Sequence, residues 1–189
     1  MKVTLIAVAS LDGKTTKGAS PGTAGWASAE DQVVFRAQIA AHDCVVMGGA
    51  TYQAARQIIR PRADRPRIVL TRRPERFVRE KQPGLAFSKE TPEALIKRLE
   101  ASGCTSLLLV GGAQTNARFV DAGLVDELLV TIEPVMFGAG LPLTVTLKRD
   151  VSLRLVSHKR LNSQGTMLLH YAIEKNLIRN PKNHEDSKI

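Results

Sequence analysis

Apolar residues in this chain come in short runs set between turn formers. Val3–Ala9, Asp43–Met47, Arg67–Leu70, Leu85–Phe87, Leu107–Val110 and Leu128–Ile132 each read as a strand. Most are almost wholly apolar, the pattern of strands buried on both faces of an α/β sheet. Between them lie stretches with helical spacing. Ser28 is placed to cap a helix with Asp31 at its third position, in the capping-box manner, and Val33, Val34, Ala37, Ile39 and Ala40 predict its apolar face. A short helix is expected over Thr51–Ile59. Another is expected over Thr91–Ala101, with Thr91 as cap and Pro92 in the first turn. Ala117, Phe119, Val120 and Leu124 give a further helical segment, broken by Gly123. The last two strands, Val151–Arg160 and Met167–Glu174, flank Asn162-Ser163-Gln164-Gly165 and read as a hairpin. The pattern predicts one domain over 1–175, followed by a loose polar tail over 176–189.

One local pattern occurs twice. Val45-Val46-Met47-Gly48-Gly49-Ala50-Thr51 is matched in kind by Leu108-Leu109-Val110-Gly111-Gly112-Ala113-Gln114. Each is an apolar strand, then Gly-Gly-Ala, then a helix start. A single Gly-Gly at such a place is a tight turn and nothing more. Two of them at one sheet edge would bring unpaired helix N-terminal amides toward the two ends of a long anionic ligand. The spacing is neither the GxGxxG of the ordinary dinucleotide fold nor that of a P-loop.

Composition narrows the picture. The chain has 189 residues, 43% hydrophobic and 24% charged, which fits one globular domain with a full-sized core. No apolar run approaches the ~20 residues of a membrane span. Val3–Leu11 is too short for a signal peptide and is closed at once by Asp12-Gly13-Lys14. Cys44 and Cys104 form no metal-binding pattern and are expected as free thiols in a reducing cytoplasm, with a disulfide between them the other possibility. The net charge is +9, and Arg56–Lys81 holds ten basic residues against three acidic ones. Such a run is either a solvated basic face or a nucleic-acid surface. Phe77 is its only aromatic, so no stacking platform accompanies it.

Several polar residues stand at strand ends, where α/β proteins bind ligands. Ser10 and Asp12 follow the first strand and either face a cleft together or close an Asx turn. Thr15–Gly25 is a loop long enough to cover a site, and Trp26 closes it, as core or as a pocket wall. Asp31 and Phe35 share a helix face, although Asp31 is also placed simply to cap. Thr71-Arg72-Arg73 ends the third strand with a hydroxyl and two guanidiniums, suited to a phosphomonoester. Glu133-Pro134 leads into a glycine-rich turn, Val135–Leu143.

Taken together, ASLDGK (9–14), WASAEDQVVFR (26–36), VVMGGATY (45–52), IVLTRRP (68–74), LLLVGGAQTNARF (107–119) and LVDELLVTIEPVMFGAGLPL (124–143) resemble the dihydrofolate reductase superfamily. The branch they resemble includes the riboflavin-pathway pyrimidine reductase, the RibD C-terminal domain. The resemblance implies an α/β fold, a twisted and mostly parallel sheet with flanking helices and a C-terminal antiparallel hairpin. It implies NADPH as cofactor and a homodimer. Its pyrophosphate would lie on Gly48, Gly49 and Thr51 and on Val110, Gly111, Gly112, Gln114 and Thr115. Its 2′-phosphate would lie on Thr71 and Arg72. The substrate side would comprise Ser10, Asp12, Trp26, Asp31, Phe35, Glu133 and Gly138. The implied activity is hydride transfer to a pterin-, pyrimidine- or related heterocyclic small molecule, with Asp31 or Asp12 positioning or protonating the acceptor. No metal, membrane or nucleic acid is expected. The readings that compete are the 5-amino-6-(5-phosphoribosylamino)uracil reductase of riboflavin biosynthesis, and a non-catalytic nucleotide- or nucleic-acid-binding protein using 56–81. Val110 stands where riboflavin-pathway reductases carry an acidic residue, and the zinc motifs of the accompanying deaminase are missing.

Overall fold

A computed structural model describes residues 1–174 apart from Pro21 and Ala24, so the expected tail over 176–189 lies outside the described residues. Among the described residues the chain forms thirteen elements, which are eight strands and four α-helices, β1 (Lys2–Ser10), α1 (Ala29–Ala41), β2 (Cys44–Gly48), α2 (Gly49–Ala55), β3 (Arg67–Leu70), β4 (Leu85–Ser88), α3 (Pro92–Ala101), β5 (Ser106–Leu109), α4 (Ala113–Asp121), β6 (Glu127–Glu133), β7 (Ser152–Arg160) and β8 (Met167–Glu174), and one 3-10 segment, Pro74–Glu80. The strands form one sheet in the order β4-β3-β2-β5-β1-β6-β8-β7. The pairs from β4 to β6 are parallel, and β8 and β7 are antiparallel.

The alternation of side chains along each strand explains why the apolar runs are continuous. On β5, Leu107 and Leu109 enter one core layer and Leu108 the other. On β2, Val46 faces the first layer while Val45 and Met47 face the second. Helices cover both faces, so every position in these two strands but Ser106 is buried. Phe119 from α4 and Leu95 from α3 are fully buried in the first layer.

Two helices depart from the sequence reading. In α1 the buried stripe is Asp31, Val34, Phe35 and Ile39, whereas Val33, Ala37 and Ala40 face outward. The helix carries two apolar stripes, and only one of them meets the sheet. α2 begins at Gly49, two residues earlier than expected, because Gly48 is its N-cap, and it ends at Ala55. The end of α1 has no basic residue in its last turn; Arg65 supplies one from elsewhere, donating to Ala40 O at 2.9 Å and His42 O at 3.0 Å.

The two ends of the sheet differ. β4 is partly covered by the 3-10 segment through Phe77, which stacks on Phe87 at 4.8 Å and meets Tyr52 edge-on. β7, at the other end, is exposed along nearly its whole length, with Leu153, Leu155 and Val156 open to solvent and a bulge between Leu155 and Ser157.

Candidate active site

The topology itself marks a crevice. From β2 the chain passes outward to β3, whereas from β5 it passes the other way, over β1, to β6. The change of direction leaves a gap beyond the C-terminal ends of β2 and β5, where ligands of open α/β sheets bind. Both Gly-Gly-Ala turns stand at that gap, since they follow those two strands.

The two turns are built against each other. Gly48 N donates to Gly111 O at 2.8 Å. A Cβ added to Gly48 would overlap the hydroxyl of Thr115, and one added to Gly112 would lie 3.0 Å from the hydroxyl of Thr51. Each threonine, one turn into its helix, thus fills the space left by the other turn's glycine. The Gly111–Gly112 peptide is cis. Packing alone thus disfavours a side chain at Gly48 and leaves only a tight fit for one at Gly112, whatever else occupies the gap. Gly49 is different: a Cβ there would meet only ordinary contacts with Thr71 at 3.5 Å, and the residue lines open space.

That space is a cleft of about 560 Å³ lined by Gly49, Ala50, Gln53, Thr71, Arg72, Arg73, Arg76 and Phe77. Thr71 and Arg72 stand where the sequence placed a phosphate site. The neighbours were not all foreseen. Arg73 lines the same cleft as Arg72, and Arg76 and Gln53 join them. Arg76 reaches the cleft because Phe77 is buried and pulls the 3-10 segment onto the sheet, while Tyr52 holds its end by donating to Glu80 Oε2 at 2.6 Å. A proline opening a short turn with one buried aromatic was the signal for this segment. The rest of the basic run is dispersed: Arg62 pairs with Asp64, Arg65 caps α1, and Arg60 donates to the carbonyls of Gln57 and Ile59. It does not form a single face. Among the described residues no cluster of His, Cys, Asp and Glu could hold a metal, and no helix is long and apolar enough to cross a membrane.

The other half of the edge is acidic and enclosed. Ser10 on β1 is fully buried and lies beside Glu133 on β6 in the sheet register. Its hydroxyl donates to Asp12 Oδ1 at 2.6 Å. Asp12 neither closes a simple local turn nor points free into a cleft. It accepts from the amides of Phe137 at 3.1 Å and Gly138 at 2.7 Å, tying the end of β1 to the glycine-rich turn after β6. The Ser10 hydroxyl and these two amides hold the Asp12 carboxyl down to about 2. Asp12 is thus a fixed anion, and the expectation that it might supply a proton is corrected: its three donors favour the ionised form. Trp26 packs edge-on against Phe137 at 5.0 Å, so the loop before α1 and the turn after β6 form one wall. Gly140 completes it, because any Cβ there would overlap the carbonyl oxygen of Thr16.

Asp31 has the opposite character. The Ser28 hydroxyl caps α1 by accepting from Asp31 N at 3.2 Å. The return bond of a capping box is absent, since Ser28 N donates instead to Glu133 Oε1 at 2.7 Å. The Asp31 side chain turns inward and is 4% exposed. Burial raises its pKa, the nearby Thr131 hydroxyl lowers it in part, and the charge of Glu133 raises it again. The Thr131 hydroxyl makes no other hydrogen bond among the described residues and stands beside the Asp31 carboxyl. Glu133, read from the sequence as a substrate contact, sits behind the wall: it is 3% exposed, and its second oxygen accepts from Thr166 Oγ at 2.7 Å. Phe35 packs into the core beside Asp31, Gln114 is exposed, and Val110 packs against the second core layer. Cys44 and Cys104 are free thiols near enough to influence each other, and burial pushes the Cys44 thiol far up.

This sheet order, with its C-terminal antiparallel hairpin, is the fold of the dihydrofolate reductase superfamily. Within it, the chain belongs to the RibD C-terminal domain family, which matches residues 1–167. It is 28% identical over 131 residues to YwjB, an uncharacterised protein of Bacillus subtilis (strain 168), covering 68% of this chain and 72% of that one. A pyrimidine reductase-like protein from Corynebacterium diphtheriae superposes with a TM-score of 0.75 at 15% identity, covering 92% of both chains. Dihydrofolate reductase from Enterococcus faecalis, solved with NADP(H) and RAB-propyl, superposes with a TM-score of 0.64 at 18% identity, covering 91% of this chain and 96% of that one.

Two measurements check this site. Gly48→Ala is expected to cost roughly 1–3 kcal/mol through overpacking, and Thr115→Ala in the same chain to restore most of it; a strictly additive double-mutant cycle in denaturant unfolding would show that the two turns do not interlock. For Asp31 the raised folded pKa means that its contribution to stability is present below the unfolded value of ~4 and is lost as pH rises through the folded value. Asp31→Asn is therefore expected to be more stable than the parent at neutral pH, with the advantage vanishing toward pH 4. Thermal melts of both proteins across that range decide the point.

Proposed function

We propose that this protein is an NADPH-dependent reductase that transfers hydride to a pterin-, pyrimidine- or related heterocyclic small molecule. The observation that carries the reading is the arrangement of one sheet edge. A basic cleft lies beyond β3, interlocked glycine turns lie beyond β2 and β5, and a buried carboxyl lies beside β1 and β6. From β3 to β1 is three strand spacings, roughly 14 Å, so an extended ligand laid along the edge meets all three in turn.

The residues present fit the cofactor. Thr71, Arg72, Arg73 and Arg76 offer a hydroxyl and three guanidiniums to a 2′-phosphate. Gly49 and Thr51, with Gly111, Gly112, Gln114 and Thr115, flank the gap where a pyrophosphate would pass. When bound, the dihydronicotinamide supplies the hydride, and the protein supplies geometry. Asp31, with its pKa raised by burial, orients the heterocycle and gives the proton, while Trp26, Phe137 and the turn around Gly138 close off water. The riboflavin-pathway reductase reading has less support, because Val110 replaces its acidic residue and leaves an apolar patch there. A nucleic-acid role has least, because the basic run is dispersed. Two free thiols, one of them fully buried, support a reducing compartment, the cytoplasm.

The protein is also proposed to act as a homodimer. β7 offers an unpaired sheet edge with Leu153 and Leu155 on a shared face, an exposure that a second copy would cover.

The cofactor reading is tested by dissociation constants for NADPH and NADH at two salt concentrations. Arg72→Ala and Arg73→Ala are each expected to weaken NADPH by about 10- to 150-fold, the ~1.5–3 kcal/mol of a charged hydrogen bond, and to leave NADH nearly unchanged. Parallel losses for both nucleotides would mean that the arginines act only as a diffuse field. For the dimer, sedimentation should give twice the chain mass for the parent and the monomer mass for Leu155→Arg; a monomeric parent rejects it.

A further inference from the structure

Glu133 is a buried carboxylate with no evident business behind the pocket wall. It belongs to a chain of hydrogen bonds that ends near Asp31. Asn162 Nδ2 donates to Glu30 Oε2 at 3.3 Å and to Thr166 Oγ at 3.0 Å, and the Thr166 hydroxyl in turn donates a hydrogen bond to Glu133 Oε2. The other oxygen of Glu133 holds the backbone amide of Ser28, the cap residue of the helix that carries Asp31. One glutamate thereby fastens the start of α1 and the β7–β8 turn to the end of β6.

The partners of the two acids are unequal. Glu133 accepts one strong hydrogen bond on each oxygen, both at 2.7 Å, the pattern of an ionised carboxylate. The donors to Asp31 are weaker: the Gln32 amide lies 3.4 Å from Oδ2, and the Thr131 hydroxyl stands beside the carboxyl. The other groups facing this pair are Thr131 on β6, Ser10 and through it Asp12 on β1, and Glu30 on α1. Among the described residues neither Asp31 nor Glu133 forms an ion pair with a lysine or arginine. Two carboxyl groups that share a dry site, without a cation, do not both ionise at neutral pH.

We propose that Glu133 is the positioning residue that keeps Asp31 loaded with a proton: the pair holds a single proton, Glu133 carries the charge, and Asp31 carries the hydrogen on Oδ1. The inference rests on the reductase reading for its chemical use. In that use the hydride pair goes to the carbon of a C=N bond in the heterocycle. The Asp31 O–H bond breaks, an N–H bond forms at the adjacent ring nitrogen, and the Asp31 carboxylate regains its proton from water. The arrangement also sets ligand preference. A protonated Asp31 offers a donor, so the site favours a neutral ring with an acceptor nitrogen over a ring that must bind as a cation.

The test needs neither cofactor nor turnover. The protein is labelled with 13C at the Asp and Glu side-chain carboxyls and titrated by NMR, with Asp31→Asn and Glu133→Gln to assign the two signals. In the parent, the Asp31 signal is expected to report a protonated acid, and the Glu133 signal a carboxylate, at the same near-neutral pH. Glu133→Gln, which keeps an acceptor for Ser28 N, is expected to move the Asp31 midpoint down, because the neighbouring negative charge is gone. An ionised Asp31 beside a protonated Glu133 in the parent overturns the proposal, even if Glu133→Gln does not fold. A midpoint that stays put in a folded Glu133→Gln overturns it too, and leaves Glu133 a purely structural strut. Lack of hydride transfer with the shifted Asp31 signal present would reject the reductase reading and leave the proton assignment standing.

Discussion

The exchange between Thr51 and Gly112 and between Thr115 and Gly48 is the contact on which the rest of this molecule turns. Each threonine occupies the place a side chain would take on the opposite turn. β2 and β5 are neighbours in the sheet, so the two helix starts that follow them are forced into register by this contact as well as by the strands. Two helix N-termini are then held facing one gap. The gap between the turns follows from that constraint, and the arginines on one side and the enclosed acids on the other are placed relative to it.

The two sides handle charge in opposite ways. Arg72, Arg73 and Arg76 are exposed, so their partners must come from outside. Asp12 and Glu133 are satisfied from within, by backbone amides and hydroxyls, and for Asp12 these donors favour the ionised form. Asp31 alone is buried with almost no donors. Its environment penalises the ionised form, which is what a proton-giving group requires.

Much of this was legible in the sequence. The continuous apolar runs announced strands covered on both faces, and the sheet has them. The repeated Gly-Gly-Ala pointed to two strand-to-helix turns of one kind, and both are present, although Gly48 caps one helix with the first glycine of its pair and Gly112 the other with the second; Ser28 and Thr91 cap the helices they precede. What could not be read was anything joined across long stretches of chain. Asp12 meets Phe137 and Gly138 across about 125 residues, and Ser28 meets Glu133 across 105. No local pattern reports such bonds. The stripe on α1 was misread because two apolar stripes satisfy the same periodicity. The segment carrying Arg76 was missed because its one buried residue, Phe77, sits among charges.

The sheet also keeps its tasks apart. The groups that would hold a nucleotide follow β2, β3 and β5, whereas the enclosed acids are walled by the loop after β1, the start of α1 and the turn after β6. These latter pieces touch one another through Asp12, Trp26 and Gly140, and none of those contacts runs through the arginine cleft. Changes made together in the 136–142 turn and in residues 12–18 would therefore leave the groups around the arginine cleft untouched. A scaffold divided in this way is well suited to diversify by gene duplication, one half under stabilising selection and the other free to explore.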